Sequence, residues 1–315
     1  MGVVENAKLT VVGAGSVGAS LAYAALIRGS ARHVALYDVN TAKVDAEVLD
    51  LAHGTPFVGS STIAGGDDLA VVEGSHVVVI TAGAKQEPGQ SRLDLAGTNV
   101  RILEDLLPKL LERAPDAIYM LVTNPCDVLT VAAQKISGLP SNRVFSSGTV
   151  LDTARLRWLL AKRAGVATSS VHAHIVGEHG DTEFPLWSSA NVGTVPILEW
   201  AHGQGFRREE LDQIAAEVRD AAYRIIQGKG ATNHAIGLSG ARIVEALLGD
   251  ESAVLPVSAV LDGVHGVDGV ALSVPSIVNS SGVTPLGETP FSDEERRKLH
   301  ESADALRASI ASLGI

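Results

Sequence analysis

The sequence predicts an α/β protein, in which an N-terminal parallel sheet covered by helices is followed by an α+β half. Short runs of β-branched residues alternate with longer helical patterns over the first half of the chain. These runs are apolar at successive positions, which is typical of parallel strands that are buried on both faces. The second half lacks this regular alternation, so we expect its strands and helices to be mixed.

The first half contains four predicted strands that alternate with three predicted helices. In chain order these are a strand over Lys8–Val12, a helix over 17–28, a strand over His33–Tyr37, a helix over 42–51, a strand over 77–81, a helix over 93–113 and a strand over 118–123. Repeated βαβ units of this kind indicate an open parallel sheet with helices on both faces.

The second half contains four predicted helices, over 153–164, 207–227, 235–248 and 292–310, and three predicted strands, over 171–176, 253–261 and 270–274. The last helix is amphipathic, with apolar residues at helical spacing on one face. Ser292 and Glu295 form the pattern of a capping box at its start. No flexible linker separates the halves, so we expect them to pack closely.

Composition excludes several classes of protein. The net charge is -11 and no basic stripe is present, so a nucleic-acid partner is not expected. The single cysteine, Cys126, cannot form an intramolecular disulfide or a cysteine metal cluster, and no metal is expected. The start of the chain does not resemble a secretory signal, and the apolar stretch over 17–27 is too short to cross a bilayer. We therefore expect a cytoplasmic protein without a membrane partner.

A glycine-rich motif lies where the first predicted strand meets the first predicted helix. It reads Gly13-Ala14-Gly15-Ser16-Val17-Gly18, the G-x-G-x-x-G pattern of Rossmann dinucleotide-binding domains. Gly13 permits a tight turn, Gly15 lets the backbone approach a pyrophosphate, and Gly18 lets the helix pack closely on the strand. The alternative is an ordinary glycine-rich turn between a strand and a helix.

An acidic residue strengthens the nucleotide interpretation and selects the cofactor. Asp38 ends the second strand, 20 residues after Gly18. A carboxylate there accepts hydrogen bonds from the ribose 2′-hydroxyl and repels a 2′-phosphate. The motif and the acid together predict NAD rather than NADP.

Three further segments carry candidate catalytic residues. His179 lies in Gly177-Glu-His179-Gly-Asp181, and its ordinary pKa suits general acid–base catalysis, although a surface-loop histidine is the alternative. Asp152 and Arg155 share one helix face; an aspartate can orient an imidazole and an arginine can bind a carboxylate, but a capping residue with a surface ion pair is equally consistent. Arg92 ends a glycine-containing loop that could close over a site and polarise a carbonyl oxygen, or could simply be exposed.

Taken together, these segments resemble the L-lactate and malate dehydrogenase family. The matches run in order through Gly13–Gly18, Asp38, Gln86…Arg92, Thr123-Asn124-Pro125, Asp152-Thr-Ala-Arg155, Gly177-Glu-His179-Gly-Asp181 and Lys229-Gly-Ala-Thr232, and so cover nearly the whole chain. The resemblance implies a six-stranded parallel sheet in an NAD-binding Rossmann domain over 1–148 and an α+β catalytic domain over 149–315.

The resemblance also implies a role for each residue. His179 would exchange a proton with the substrate, Asp152 would hold the imidazole, Arg155 would bind the substrate carboxylate, and Arg92 would stabilise the developing alkoxide. Asn124 would contact substrate or nicotinamide, and Thr232 would line the substrate pocket. Further cofactor contacts are implied for Lys43, Thr81, Ala82, Gly83, Val122, Ser147 and Ile236.

Gln86 indicates the substrate. An arginine at this position of the family recognises the second carboxylate of oxaloacetate, whereas a neutral glutamine suits the methyl group of pyruvate. A buried carboxylate without a partner costs several kcal/mol, so we expect reversible reduction of pyruvate to L-lactate. Malate dehydrogenase remains the alternative, because Lys85 could supply the missing charge; a larger 2-keto acid and a non-catalytic NAD-binding protein also remain open.

A second anion site is implied by Arg157 and His172. Arg157 lies two residues beyond Arg155, which places it about 200° around the helix and away from the substrate. In allosteric bacterial members of the family, an arginine and a histidine at these positions bind fructose 1,6-bisphosphate across a two-fold interface. The resemblance therefore implies this effector and a homotetramer; ordinary polar interface residues are the alternative.

Overall fold

The computed structural model describes residues 3–84, 92–203 and 205–315, with residues 92 and 93 described by their backbone alone. The expectations for Gln86, Lys85 and the Arg92 side chain therefore lie outside the described residues. Among the described helices, none combines the length and apolar character that a membrane span requires.

The centre of the fold is the parallel sheet that the sequence predicts. Its strands are β1 (Lys8–Val12), β2 (His33–Tyr37), β3 (Thr62–Gly66), β4 (Val77–Ile80), β5 (Ile118–Leu121) and β6 (Val144–Ser146). They lie in the order β3-β2-β1-β4-β5-β6, and every pair is parallel. The order reverses between β1 and β4, and the crevice at this switch point is where such sheets bind ligands.

Helices cover both faces of this sheet, which explains why its inner strands are mostly apolar and buried. The first four helices are α1 (Ser16–Arg28), α2 (Thr41–Gly54), α3 (Arg92–Arg113) and α4 (Cys126–Ser137). Residues of α1 and α2 enter one core with one face of the sheet, and residues of α3 and α4 enter a second core on the other face. All four positions of β4 and of β5 are buried. The sequence analysis did not predict α4, β3 or β6.

The remaining elements belong to the second half of the chain. Its helices are α5 (Val150–Ala164), α6 (Arg208–Lys229), α7 (His234–Leu248) and α8 (Asp293–Leu313). Its strands are β7 (Val171–His172), β8 (Ile175–Val176), β9 (Phe184–Pro185), β10 (Asn191–Val192), β11 (Val195–Pro196), β12 (Ala253–Leu255), β13 (Ser258–Val260), β14 (Ala271–Ser273), β15 (Ser276–Asn279) and β16 (Gly282–Pro285). The predicted capping box of α8 is present: Ser292 Oγ accepts from the Glu295 N–H, and the Glu295 carboxylate accepts from the Ser292 N–H.

The large sheet continues into the second half. Strands β13 and β14 extend it in antiparallel fashion beyond β6, so that it has eight strands. The single strand predicted over 253–261 is wrong: it divides into β12 and β13, which lie in different sheets. Pro256 lies between them and has no N–H to donate to a ladder. The strand predicted over 171–176 likewise divides into β7 and β8, which pair with different partners.

Helix α7 joins the two halves by packing on α1. Gly237 lies against Ser20, and a Cβ at this glycine would stand 2.8 Å from the Ser20 backbone. The side-chain amide of Asn233 donates to Ser20 Oγ at 2.9 Å at the same crossing. This close approach places the N-terminal end of α7 beside the helix that follows the glycine motif.

Candidate active site

The turn between β1 and α1 is built by its glycines. Gly13 has a φ of 109°, a conformation that L side chains rarely adopt. A Cβ on Gly18 would stand 1.9 Å from the Gly13 carbonyl oxygen, so this position accepts no side chain without movement of the backbone. A Cβ on Gly15, in contrast, would meet no protein atom within 4 Å. Gly15 therefore borders open space at the N-terminal end of α1, where a pyrophosphate can approach free N–H groups.

Asp38 is bonded to this turn. Its Oδ2 accepts the N–H of Ala14 at 2.7 Å, and its Oδ1 accepts the N–H of Asn40 at 3.0 Å. Each carboxylate oxygen can accept a further bond, so the group remains able to receive ribose hydroxyls. The residues present thus fit the adenosine and pyrophosphate portions of NAD.

The other implied cofactor residues lie at the carboxyl ends of the parallel strands or beside them. Thr81, Ala82 and Gly83 follow β4, Val122 follows β5 and Ser147 follows β6. Thr81 Oγ1 approaches the carbonyl oxygens of Val12 and Gly13 at 3.1 and 3.0 Å, which fixes the glycine turn to β4. Ser16 and Lys43 are exposed on α1 and α2, whereas Val17 and Ile236 are partly buried.

Asn99 is a buried organiser of this edge that the sequence analysis missed. Its Oδ1 accepts the N–H of Ala84 at 2.7 Å, and its Nδ2 donates to the carbonyl oxygen of Asn124 at 2.8 Å. The segments after β4 and β5 are thereby joined, and Asn124 is held at the crevice. The sequence signal for this role was an asparagine at a position where the apolar pattern of α3 indicates a buried residue.

Asp152, Arg155 and His179 form the candidate catalytic site, which we call the catalytic cluster. Asp152 is buried on α5; its Oδ2 accepts from His179 Nδ1 at 2.7 Å, and its Oδ1 accepts from Arg155 Nη1 at 2.5 Å. The side chains of Arg155 and His179 are 15% and 25% exposed, so both remain accessible from the crevice. Within the described part of the chain, His179 Nε2 forms no hydrogen bond, whereas Nδ1 is bonded to Asp152.

The electrostatics of the cluster favour a charged imidazole. Burial acts to lower the pKa of His179, but the charge and hydrogen bond of Asp152 outweigh it and raise the pKa to about 9. For Asp152, burial acts upward, whereas His179 and Arg155 hold the pKa of the carboxyl below its usual value. At neutral pH the pair is therefore an imidazolium and a carboxylate, which is the arrangement that a proton donor needs.

Two further acids next to His179 were missed by the sequence analysis. Asp127, in the first turn of α4, is buried and accepts the backbone N–H of His179 at 2.7 Å. Burial raises the pKa of Asp127 to about 6. Glu183 lies on the other side, with Oε2 3.9 Å from His179 Nδ1. Asp127 and His179 are 52 residues apart in the chain, whereas Glu183 follows His179 by four residues. No spacing rule in the sequence analysis indicated either contact.

Arg157 lies apart from the catalytic cluster. Its Nε donates to the carbonyl oxygen of Ala173 at 2.9 Å, and its Nη2 donates to His174 Nε2 at 3.0 Å. The expected partner His172 is exposed on β7, two residues before His174. Burial, followed by the charges of Arg157 and His172, lowers the pKa of His174 to about 4, so this histidine is a neutral acceptor. Thr232 is partly buried just before α7.

A doubly wound sheet, a glycine turn with an acid after β2, and a carboxylate–imidazole pair beside an arginine define an NAD-dependent dehydrogenase. A family model described as the lactate/malate dehydrogenase NAD-binding domain matches residues 7–146, and one described as the α/β C-terminal domain matches residues 149–313. The chain belongs to the lactate/malate dehydrogenase family, and its cofactor is NAD, as the sequence analysis predicted.

Relatives are similar to this chain over nearly its whole length. The L-lactate dehydrogenase of Bifidobacterium animalis subsp. lactis is 50% identical over 314 residues, covering 99% of this chain and 98% of that protein. The L-lactate dehydrogenase of Synechococcus sp. is 46% identical, covering 97% and 99%. The crystal structure of the minor L-lactate dehydrogenase from Enterococcus mundtii in a ligands-bound form superposes with a TM-score of 0.93 at 38% identity, covering 98% of each chain. This neighbour confirms the predicted fold class.

Proposed function

We propose that this enzyme is an L-lactate dehydrogenase that reversibly reduces pyruvate to L-lactate. The hydrogen-bonded series Arg155–Asp152–His179 carries the proposal, because it places a carboxylate receptor and a charged proton donor side by side. Arg155 receives the substrate carboxylate through guanidinium donors that Asp152 does not occupy. His179 gives a proton to the carbonyl oxygen, and Asp152 stabilises the imidazolium until that transfer. NADH supplies the hydride.

Residues around this series complete the proposed site. Asn124 and Thr232 contact the substrate, and Arg92 polarises its carbonyl. Gln86 accommodates the methyl group of pyruvate and leaves a second carboxylate unpaired. The relatives named L-lactate dehydrogenase support this choice over malate dehydrogenase.

Steady-state oxidation of NADH with pyruvate and with oxaloacetate tests the substrate. We expect a strong preference for pyruvate in kcat/KM, and we expect Gln86→Arg to move that preference towards oxaloacetate. Wild-type preference for oxaloacetate would identify a malate dehydrogenase instead. Absence of turnover with both acids, together with retained NADH binding, would favour a longer keto acid or a non-catalytic NAD-binding protein.

We further propose that Arg157 and His172 bind fructose 1,6-bisphosphate as an activator in a homotetramer. The Arg157 guanidinium is partly buried, and no salt bridge joins it to a carboxylate in the described part of the chain. Neutral His174 does not balance its charge, and His172 is exposed on the same strand. A cationic group without a counter-ion near an exposed histidine suits a phosphate.

The effector proposal is tested with Arg157→Gln. The fall in KM for pyruvate on adding fructose 1,6-bisphosphate should be lost, while turnover at saturating pyruvate should persist because Arg157 lies apart from the catalytic cluster. Sedimentation with and without the effector measures the assembly state. Undiminished activation in the variant would exclude this site.

We also propose that the chain divides into domains over 1–148 and 149–315. The start of α5 at Val150 supports this boundary, although β13 and β14 of the second part complete the sheet of the first.

A further inference from the structure

Glu183 is a buried acid at the catalytic cluster to which no role has so far been given. It lies immediately before β9, and its side chain is 4% exposed. Its Oε2 stands 3.9 Å from His179 Nδ1, a nitrogen that is already hydrogen-bonded to Asp152. Its Oε1 is buried and forms no hydrogen bond within the described part of the chain. Asp152 therefore already holds the imidazole, and Glu183 lies beside the same ring nitrogen as a second acid.

The groups that face Glu183 come from two elements. Asp152 and Arg155 project from α5, and His179 projects from the loop that also carries Glu183. Asp127, from α4, accepts the backbone N–H of His179. An ionised Glu183 would add a second carboxylate beside Asp152, close to the arginine that receives the substrate.

The charge of the Glu183 side chain depends on pH. Burial, and next the neighbouring Asp152 carboxylate, raise the pKa of Glu183 to about 8. Because the group is an acid, it is neutral below this pH and negative above it. At neutral pH Glu183 is then neutral, Asp152 and Asp127 are carboxylates, and Arg155 and His179 are cations, so these charges balance. Ionisation of Glu183 would leave a net negative charge beside an anionic substrate.

We propose that Glu183 is a positioning residue that must be neutral for the 2-keto acid to bind, so that the site responds to the protonation of two side chains, Glu183 and His179. The inference rests on the proposed function, in which Arg155 receives the substrate carboxylate. Ionisation of Glu183 opposes that carboxylate and weakens its binding. The same ionisation helps to retain the proton on His179, so its effect falls on KM more than on kcat.

The pH dependence of kcat/KM for pyruvate tests the proposal, because its slope at alkaline pH gives the number of protons that the site requires. When two groups must be protonated, kcat/KM for pyruvate falls by about a hundredfold per pH unit at pH values above both pKa values, whereas one required proton gives about tenfold. In the plot of kcat/KM against pH, we expect the hundredfold fall per pH unit (the steeper alkaline limb) in the wild type and the tenfold fall (the shallower limb) in Glu183→Gln. The rise in KM between pH 7 and about 9 should be smaller in this variant than in the wild type. Glu183→Asp retains an acid and should retain the steeper limb.

Glu178→Gln is the matched control, because Glu178 lies in the same loop and its carboxylate accepts the hydroxyl of Thr182. The alkaline limb of kcat/KM in Glu178→Gln should match that of the wild type. A shallower limb in both Glu178→Gln and Glu183→Gln would overturn the assignment to Glu183. An unchanged limb in Glu183→Gln would also overturn it.

An infrared titration separates this inference from the proposed function. We expect the C=O band of a protonated carboxylic acid to disappear as the pH rises through about 8, and the same band to be absent from Glu183→Gln. If pyruvate is not turned over but this band is present, the proposed substrate is wrong and the titration of Glu183 stands. Absence of the band from the folded wild type at neutral pH would overturn the inference directly.

Discussion

The glycine turn over residues 13–18 and the catalytic cluster differ in what they are made of. The turn acts through backbone groups and through missing side chains, and its parts are neighbours in the chain. The cluster acts through three charged side chains, and His179 reaches it from 27 residues beyond Asp152. A site made of backbone depends on steric fit, whereas a site made of buried charges depends on mutual pKa control. Substitutions in the two regions should therefore fail in different ways.

The largest expected effect is the loss of the proton donor. In His179→Gln, kcat/KM for pyruvate reduction should fall roughly 10²- to 10⁴-fold, the contribution typical of a positioned general acid. NADH affinity, measured by fluorescence titration, should stay close to that of the wild type because the glycine turn is untouched. A parallel loss of NADH affinity would show that the two regions are not separable.

Asp152→Asn should give the next largest effect and should also change the pH profile. Loss of a charged hydrogen bond worth about 1.5–3 kcal/mol lowers kcat/KM roughly 10- to 100-fold. Pyruvate reduction needs protonated His179, so the kcat of the wild type at saturating pyruvate is maintained at neutral pH and falls as the pH rises through about 9. Without the Asp152 carboxylate the pKa of His179 drops, and the fall should begin at lower pH. An unchanged limb would mean that Asp152 does not control the proton on His179.

Gly18→Ala and Gly15→Ala sharpen the contrast within the turn itself. The added methyl group at position 18 would collide with the Gly13 carbonyl oxygen, and overpacking of this kind lowers the free energy of unfolding by about 1–3 kcal/mol. At position 15 no protein atom is within 4 Å, so stability should be retained while the Kd for NADH rises. Denaturant unfolding and NADH titration of both variants measure these effects. Unaltered NADH affinity in Gly15→Ala would contradict the pyrophosphate assignment.

The smallest expected effect concerns cofactor choice. Asp38→Asn removes the negative charge and keeps one oxygen, which can accept the bond from Ala14 or the bond from Asn40 but not both. Repulsion between exposed charges is about 1 kcal/mol at 4 Å in water, so the preference for NADH over NADPH should fall up to about tenfold. Asp45→Asn, an exposed acid on α2, is the control and should leave the preference unaltered.

Features that depend on nearby residues were well predicted. The bounds of β1 and β2 match, and the Ser292–Glu295 capping box is present. Strand β6 was missed because it is only three residues long and owes its place to pairing with β5 and β13. The division of the apolar run 253–261 into β12 and β13 was also missed. Pro256 interrupts the run because it has no N–H for a ladder, and apolar patterning does not show that the two parts enter different sheets.

The candidate site divides in the same way. The glycine motif and Asp38 were found from spacing, because a βαβ unit holds both within one local fold. The pairing of Asp152 with His179 rested on the family resemblance. Asn99, Asp127, His174 and Glu183 were missed, since a buried polar residue acquires its partner only when distant segments meet.

The sequence by itself determined the fold class, the NAD cofactor and the family, because periodicity, glycine spacing and ordered motifs are properties of short segments. Only the tertiary structure decided which charged side chains lie next to one another. Burial lowers the pKa of His179, but attraction between its imidazolium and the Asp152 carboxylate outweighs burial and raises that pKa to about 9. Burial raises the pKa of Glu183, and repulsion from the Asp152 carboxylate adds to it, so that this pKa is about 8. Such shifts depend on distances across the folded chain, which residue order does not contain.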